Sequence, residues 1–158
     1  MKTDAPTTRS QPGPAAQDSG THLWLVLMKA QRTLERHAVR SVEKSGLGLS
    51  DFGILEALLH KGPLLVSDLG RRIHLTSGSV TTAVDRLENQ GLVERMSDPE
   101  DRRARRVRLT AKGRTRIESA FRAHSAIMDG LGESLTKSER STLITLLKKL
   151  GLSAQEKD

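Results

Sequence analysis

The sequence predicts a mainly α-helical fold with a minor β component, a single small hairpin. Apolar residues recur at three- and four-residue steps along most of the chain, which is the period of an amphipathic helix. From Arg105 to Leu109 the period changes to two, because basic and apolar side chains alternate as they do in a strand. The length of 158 residues fits one domain with one core.

The two ends of the chain differ in composition from the helices beside them. Residues 1–20 are rich in Pro, Gly, Ser and Thr and lack an apolar period, so they predict a disordered N-terminal tail. A helix follows over residues 21–45, where a Ser-Gly pair interrupts its apolar stripe. Two more helices are expected over residues 110–151, with Thr110 and Thr136 as their N-caps. Residues 152–158 are expected to form a C-terminal tail.

Between these helices, residues 46–109 combine short helices with the hairpin. The first short helix is expected to follow the N-cap Ser50 and to end at Gly62. The second is expected from Ser67 to Ile73. The third is expected to follow the N-cap Thr76 and to end at Gly91. Residues Leu92–Met96 are expected to pair with Arg105–Leu109 across a charged, turn-rich tip.

The second and third of these short helices are joined by His74-Leu75-Thr76 and fit a helix-turn-helix. One face of the third helix is apolar, while the opposite face is polar and mostly slim, as a helix lying in the major groove of DNA requires. The predicted DNA contacts are Ser77, Gly78, Ser79, Thr81, Thr82 and Arg86. Taken alone, the same residues also fit an ordinary surface helix with Ser and Thr near its cap.

A basic run favours the DNA-binding interpretation. From Arg102 to Arg116 the chain carries eight basic residues and no acid, and the run begins at the hairpin tip. Arginine inserted into a narrow minor groove gains from its enhanced negative potential. The hairpin is therefore interpreted as a wing. Its predicted DNA contacts are Arg102, Arg103 and Arg105, and Asp85, Asp98 and Asp101 are predicted to orient arginines through charge-assisted hydrogen bonds.

The composition of the chain indicates which class of partner it binds. The chain has 26 Lys and Arg against 19 Asp and Glu, a net charge of +7 that favours a polyanion. Aromatic residues make up only 2% of the chain, which favours duplex DNA over single strands gripped by stacking. The longest apolar run, Leu23–Met28, is far too short to span a bilayer, so no membrane association is predicted. We expect a cytoplasmic, nucleoid-associated protein.

Four segments resemble the MarR family of winged helix-turn-helix transcription regulators. They are LTSGSVTT at residues 75–82, DRLE at 85–88, GLVER at 91–95 and DPEDRR at 98–103. The resemblance covers about residues 21–151 and is strongest from Ser50 to Gly113. Glu100 departs from the pattern, because the family often has a basic residue in this part of its wing.

The resemblance implies an obligate homodimer built from the helices at 21–45 and 110–151, with a winged helix-turn-helix lobe between them. It implies that Arg103 enters the minor groove at the wing tip. It also implies a repressor whose DNA affinity falls when a small phenolic or other aromatic compound binds between the dimerisation helices and the DNA-binding lobe.

The sequence excludes or disfavours several classes of signal that the protein could sense. Without cysteine, thiol oxidation is excluded as a signal. The histidines are scattered without metal-ligand spacing, and there is no phosphate loop or catalytic grouping, so no metal, cofactor or enzymatic activity is predicted. The candidate effector pocket combines apolar and polar side chains, although core packing is an alternative role for each. Its residues are Trp24, Met28, His37, Phe52 and His60.

Two principal hypotheses of function follow. The first is a sequence-specific, ligand-responsive repressor bound as a two-fold dimer to a pseudopalindrome with half-sites about 10 bp apart. The second is an architectural or protein-interaction winged-helix module without sequence preference, which basic charge alone would allow. An amphipathic membrane binder is a third interpretation, disfavoured because the apolar helix faces can be buried in a dimer.

Overall fold

A computed structural model describes residues 19–98 and 104–156 of the chain. The chain divides into two compact units, Met1–Arg36 and His37–Asp158. The described part is mainly helical and contains one three-stranded antiparallel sheet, which confirms the predicted fold class. Within these residues, no helix is long and apolar enough to cross a membrane.

Six helices and three strands follow one another along the described residues. In chain order they are α1 (Gly20–Lys44), α2 (Leu49–Lys61), β1 (Leu64–Leu65), α3 (Val66–Arg72), α4 (Ser77–Asn89), β2 (Val93–Ser97), β3 (Arg105–Leu109), α5 (Ala111–Gly132) and α6 (Lys137–Gln155).

Three predicted N-caps are confirmed. The side-chain oxygens of Thr76 and Thr110 accept hydrogen bonds from the backbone amides of Ser79 and Gly113. Thr136 forms a complete capping box with Glu139. These contacts satisfy backbone amides that the first turn of a helix leaves without partners.

The predicted cap at Ser50 is wrong. The cap lies two residues earlier, at Gly48, which makes no side-chain hydrogen bond, and the helix begins at Leu49. The hydroxyl of Ser50 instead accepts a hydrogen bond from Nη2 of Arg86 at 3.3 Å. The side chain is therefore engaged by another helix and is not used to cap its own.

The starts and ends of two other helices also differ from expectation. α3 begins at Val66, because β1 runs directly into it and Leu65 takes the cap position. α6 continues past Gly151 to Gln155, so the expected C-terminal tail is helical up to that residue. A glycine inside a helix costs about 1 kcal/mol relative to alanine, and no proline follows that would end the helix.

The sheet has the strand order β1-β3-β2. β2 and β3 form the predicted hairpin, in a register that pairs Val93 with Leu109 and Ser97 with Arg105. β2 begins and ends one residue later than expected, because the amide of Leu92 still donates to the carbonyl of Leu87 at the end of α4. β1 was not predicted, since two residues are too few to show a period.

The hydrophobic core of the second unit joins the helix-turn-helix to the wing. Its fully buried side chains come from the end of α1, from α2, α3, α4 and the sheet, and from the first half of α5. They include Ile54, Leu55, Leu69, Val84, Leu87, Val107 and Ile117, all 0% exposed. The recognition helix and the wing are thus packed on one core and keep a fixed relation to each other.

A substitution at Gly113 tests the close contact between α5 and the base of the wing. A Cβ atom there would lie 1.8 Å from the carbonyl oxygen of Leu92, so backbone must move. We expect Gly113→Ala to lower the free energy of unfolding by about 1–3 kcal/mol, measured by urea unfolding followed by circular dichroism. Gly130→Ala in the same helix is the control, because its Cβ meets nothing within 4 Å. Equal stability of the two variants would contradict the contact.

Candidate nucleic-acid interface

Helix α4 has one buried and one exposed face. Its apolar residues Val80, Ala83, Val84 and Leu87 are between 0 and 2% exposed and pack into the core. The predicted DNA contacts are all exposed, and they are Ser77, Gly78, Ser79, Thr81, Thr82 and Arg86. The helix therefore presents a polar, mostly short-chained surface, and DNA contact by these residues remains a prediction.

The hydroxyl groups of this surface are oriented by the helix itself. Thr81 donates to the carbonyl of Ser77 at 2.9 Å, and Thr82 donates to that of Gly78 at 3.1 Å. Because each proton is directed into the helix, the hydroxyl oxygens are available as acceptors. Gly78 has open space where a side chain would begin, so a ligand can approach its backbone closely.

A tight turn sets the start of α4 relative to α3. The backbone of His74 adopts a positive φ of 54°, and the amide of Leu75 donates to the carbonyl of Gly70 at 2.9 Å. A Cβ at Gly70 would lie 3.2 Å from the carbonyl oxygen of Leu75, which is tighter than ordinary van der Waals contact. The turn thus brings the two helices together in the manner of a helix-turn-helix.

Arg86 connects α4 to the first turn of α2. Its Nε lies 3.2 and 3.0 Å from the two carboxylate oxygens of Asp51, and its Nη2 lies 2.5 Å from Oδ1. The hydrogen bond with Asp51, followed by the charge of Asp51, raises the pKa of Arg86 above its ordinary value. This predicted DNA contact therefore has a protein partner that sequence reasoning missed.

Arg95 connects the wing to α4. From strand β2 it pairs with Asp85 at 2.5 Å and with Glu88, whose carboxylate also accepts from the Arg95 amide at 3.1 Å. Desolvation lowers the pKa of Arg95, but hydrogen bonds to Asp85 and Glu88 and their charges outweigh it, so the pKa is raised. Asp85 was expected to orient an arginine, and the arginine it binds is Arg95, which was not among the candidate site residues.

Arginines also pair across the wing. Arg106 binds the buried carboxylate of Asp98, and Arg108 binds Glu94, its cross-strand neighbour, at 2.7 Å. Nη1 of Arg105 donates to the hydroxyl of Ser97 at 2.7 Å. Cross-strand contacts of this kind hold the hairpin in register. The predicted tip residues Asp101, Arg102 and Arg103 lie outside the described residues.

The candidate effector residues fall into both units. Trp24 and Met28 belong to the first unit, and Trp24 is exposed. The other three belong to the second unit, where His37 is exposed, Phe52 is buried and lies 5.1 Å from the ring of His124, and exposed His60 lies 4.8 Å from the ring of Phe121. The pocket itself remains a prediction.

Within the second unit, His124 of α5 contacts α2 and the end of α1. Its Nδ1 lies 2.6 Å from the hydroxyl of Ser41 near the end of α1, while its ring contacts Phe52 of α2. Ser41 is buried, so this bond satisfies a polar group that would otherwise lose its water. The sequence alone does not predict this pair, because Ser41 and His124 are 83 positions apart.

Comparison with known proteins agrees with this geometry. A family model described as MarR family matches residues 45–104. The HTH-type transcriptional regulator MhqR of Bacillus subtilis (strain 168) is 35% identical over 134 residues, which cover 85% of this chain and 92% of the relative.

Solved structures show the same fold. A mutant MarR from E. coli complexed with operator DNA gives a TM-score of 0.70 at 25% identity, covering 81% of this chain and 92% of that chain. BpsR of Bordetella bronchiseptica, whose structure concerns regulation of DNA binding by 6-hydroxynicotinic acid, gives a TM-score of 0.62 at 26% identity, covering 78% and 98%. The chain belongs to the MarR family of winged helix-turn-helix transcriptional regulators, which bind DNA and are not enzymes.

Proposed function

We propose that this protein is a homodimeric repressor that binds a pseudopalindromic duplex operator and is released by a small aromatic ligand. The observation that carries the DNA-binding part is the exposed polar face of α4, held on the same core as the wing. The E. coli MarR structure with operator DNA supports it, because that protein shares this fold over most of both chains.

Base recognition is assigned to the N-terminal half of α4. The hydroxyl oxygens of Thr81 and Thr82 can accept hydrogen bonds from the amino groups that cytosine and adenine present in the major groove. Ser77 and Ser79 lie at the positive end of the helix dipole, where they and the backbone amides can bind phosphate. Affinity comes mainly from the net charge of +7, and sequence preference comes from α4.

The wing is assigned to the minor groove. Arg105 is exposed at the start of β3, and Arg102 and Arg103 precede it in the chain. Arg103 enters the groove in this proposal, while Asp98 and Asp101 orient neighbouring arginines. The charge-assisted pair between Asp98 and Arg106 supports such a role for the first of these acids.

Separate variants test the two roles against DNA. The specific probe is a duplex selected by the wild-type protein from a random-sequence library, and the reference is a scrambled duplex of equal composition. We expect Thr82→Ala to reduce discrimination between them by about 1–3 kcal/mol. We expect Arg103→Ala to weaken binding to both and to flatten the salt dependence. Fluorescence anisotropy at several fixed salt concentrations measures both effects.

Thr115→Ala is the control for the helix substitution, because Thr115 is exposed and also donates to a carbonyl one turn earlier, at 3.1 Å. It should leave discrimination unchanged. Equal losses on both duplexes for the Thr82 and Arg103 variants would contradict this division of roles. Comparable wild-type affinity for every duplex would instead favour the architectural alternative.

Dimerisation is assigned to the terminal helices. No residue of α6 is buried, although one side of the helix is strongly apolar. Its exposed large apolar residues are Leu143, Ile144, Leu146, Leu147, Leu150 and Leu152, and α1 exposes Leu23, Trp24, Leu25, Val26 and Leu34. Monomeric proteins rarely expose contiguous apolar patches of this kind, which supports burial of these helices in a dimer.

A charged residue within the stripe of α6 tests the dimer. Leu146→Glu should convert the protein to a monomer, because an unpaired carboxylate would be buried in the interface. Sedimentation velocity over a range of protein concentrations measures the effect. Thr145→Glu adds the same charge outside the stripe of Leu143, Leu146, Leu147 and Leu150 and should leave the dimer intact. A wild-type protein that sediments as a monomer at all concentrations would refute the dimer.

Release by an aromatic ligand is the third part of the proposal. BpsR supports it, because 6-hydroxynicotinic acid is said to regulate the DNA binding of that protein. A panel of hydroxylated aromatic acids and phenols, titrated into the complex with the selected duplex, should contain a compound that lowers anisotropy. The same compound should leave the complex of an unrelated DNA-binding protein unchanged. Absence of any release would contradict ligand control by this class.

A further inference from the structure

The carboxylate of Asp51 lies beside the recognition helix, although it belongs to α2. It is 6% exposed and occupies the first turn of α2, where a negative charge is favoured by the helix dipole. Its neighbours along the chain, Phe52, Ile54 and Leu55, are buried in the core. Because α2 is packed in the core, this carboxylate has a fixed position, unlike a flexible side chain on the surface.

The carboxylate engages only one edge of the Arg86 guanidinium. Nε and Nη2 face Asp51, and Nη2 also reaches the hydroxyl of Ser50 at 3.3 Å. Nη1 donates no hydrogen bond to any residue within 19–98 and 104–156, and the Arg86 side chain remains 45% exposed. The other edge of a planar, rigid donor group thus remains available.

Arg86 lies on the predicted DNA-contacting face of α4. Arg86 follows Thr82 by four residues, which places the two side chains on the same side of α4, one turn apart. Both belong to the exposed surface opposite the buried Val80, Val84 and Leu87. An arginine in this place is at the right distance along the helix to extend the contacts made by the N-terminal half.

We propose that Asp51 is a positioning residue for DNA recognition, which holds the Arg86 guanidinium so that its outer edge binds the DNA. The inference rests on the proposed function. It predicts that a carboxylate that does not touch DNA determines sequence preference through the orientation of an arginine on another helix.

Two physical effects support the proposal. A long arginine side chain loses conformational freedom when it binds DNA, and the pairing with Asp51 imposes much of that loss before DNA arrives. The two-pronged contact also fixes the plane of the guanidinium, which a lysine ammonium could not reproduce. Preorganisation of this kind favours the DNA sequence that fits the fixed donor geometry over sequences that do not.

The test compares Asp51→Asn with wild type in the full-length protein, using the selected and scrambled duplexes at one salt concentration. Asparagine keeps the shape of the side chain but loses the charge that holds the guanidinium. We expect the ratio of the two affinities to fall roughly 5- to 150-fold, the range expected when one specific arginine contact is lost. Affinity for the scrambled duplex should stay equal or rise slightly, because one negative charge is removed.

Glu118→Gln is the matched control. It also removes one negative charge from an ion pair with arginine, Arg114 at 3.6 Å, but it lies on the surface of α5. The affinity ratio should be unchanged in this variant. A loss in Asp51→Asn that is equal on both duplexes and accompanied by a lowered melting temperature would overturn the positioning role, because general destabilisation would explain it.

Arg86→Lys provides a second measurement that does not depend on the stability of the Asp51 variant. It keeps the charge, so the salt dependence should be unchanged while the affinity ratio falls. In the double variant the loss should match that of either single variant, since both remove the same contact. An unchanged ratio in Arg86→Lys would overturn the inference. If the wild-type protein shows no sequence preference, that result contradicts the proposed function itself, independently of any variant.

Discussion

The structure depends on how α4 is held in place. The polar face of this helix is exposed to solvent, while the hydrophobic core, α2 and the wing contact its other sides. Its apolar face is buried with Val84 and Leu87 completely inaccessible. Asp51 of α2 binds it on one side through Arg86, and the wing binds it through Arg95. Hydrophobic burial stabilises this arrangement, and the arginine ion pairs fix the orientation of α4 relative to α2 and the wing.

The ion pairs differ in what they can contribute. The pair of Glu94 and Arg108 is about half exposed on both sides, so its effect on stability is small. Asp51 and Asp98 are buried, and their carboxylates would be costly without a partner. Each arginine therefore compensates a buried charge, and the pairing also fixes the position of the arginine side chain.

Much of the fold could be predicted from periodicity and caps. Thr76, Thr110 and Thr136 cap helices as their sequence context indicates, and the alternation from Arg105 to Leu109 is a strand. Contacts between distant segments could not be predicted in this way. Arg86 was assigned to DNA from its helix face alone, because nothing local connects it to a carboxylate 35 residues earlier. Ser50 was expected to cap its own helix for the same reason.

The start of α5 is fastened to the turn that follows α4. Thr110 donates from its hydroxyl to the carbonyl of Gly91 at 2.7 Å, Lys112 donates to that of Gln90 at 2.8 Å, and Gly113 lies against Leu92. These contacts fix the base of the wing against α5 and the end of α4. Within the hairpin, a change of length at this base would break these contacts, so we expect changes of length to be tolerated at the far end, where the reach of the wing can vary independently of its anchorage.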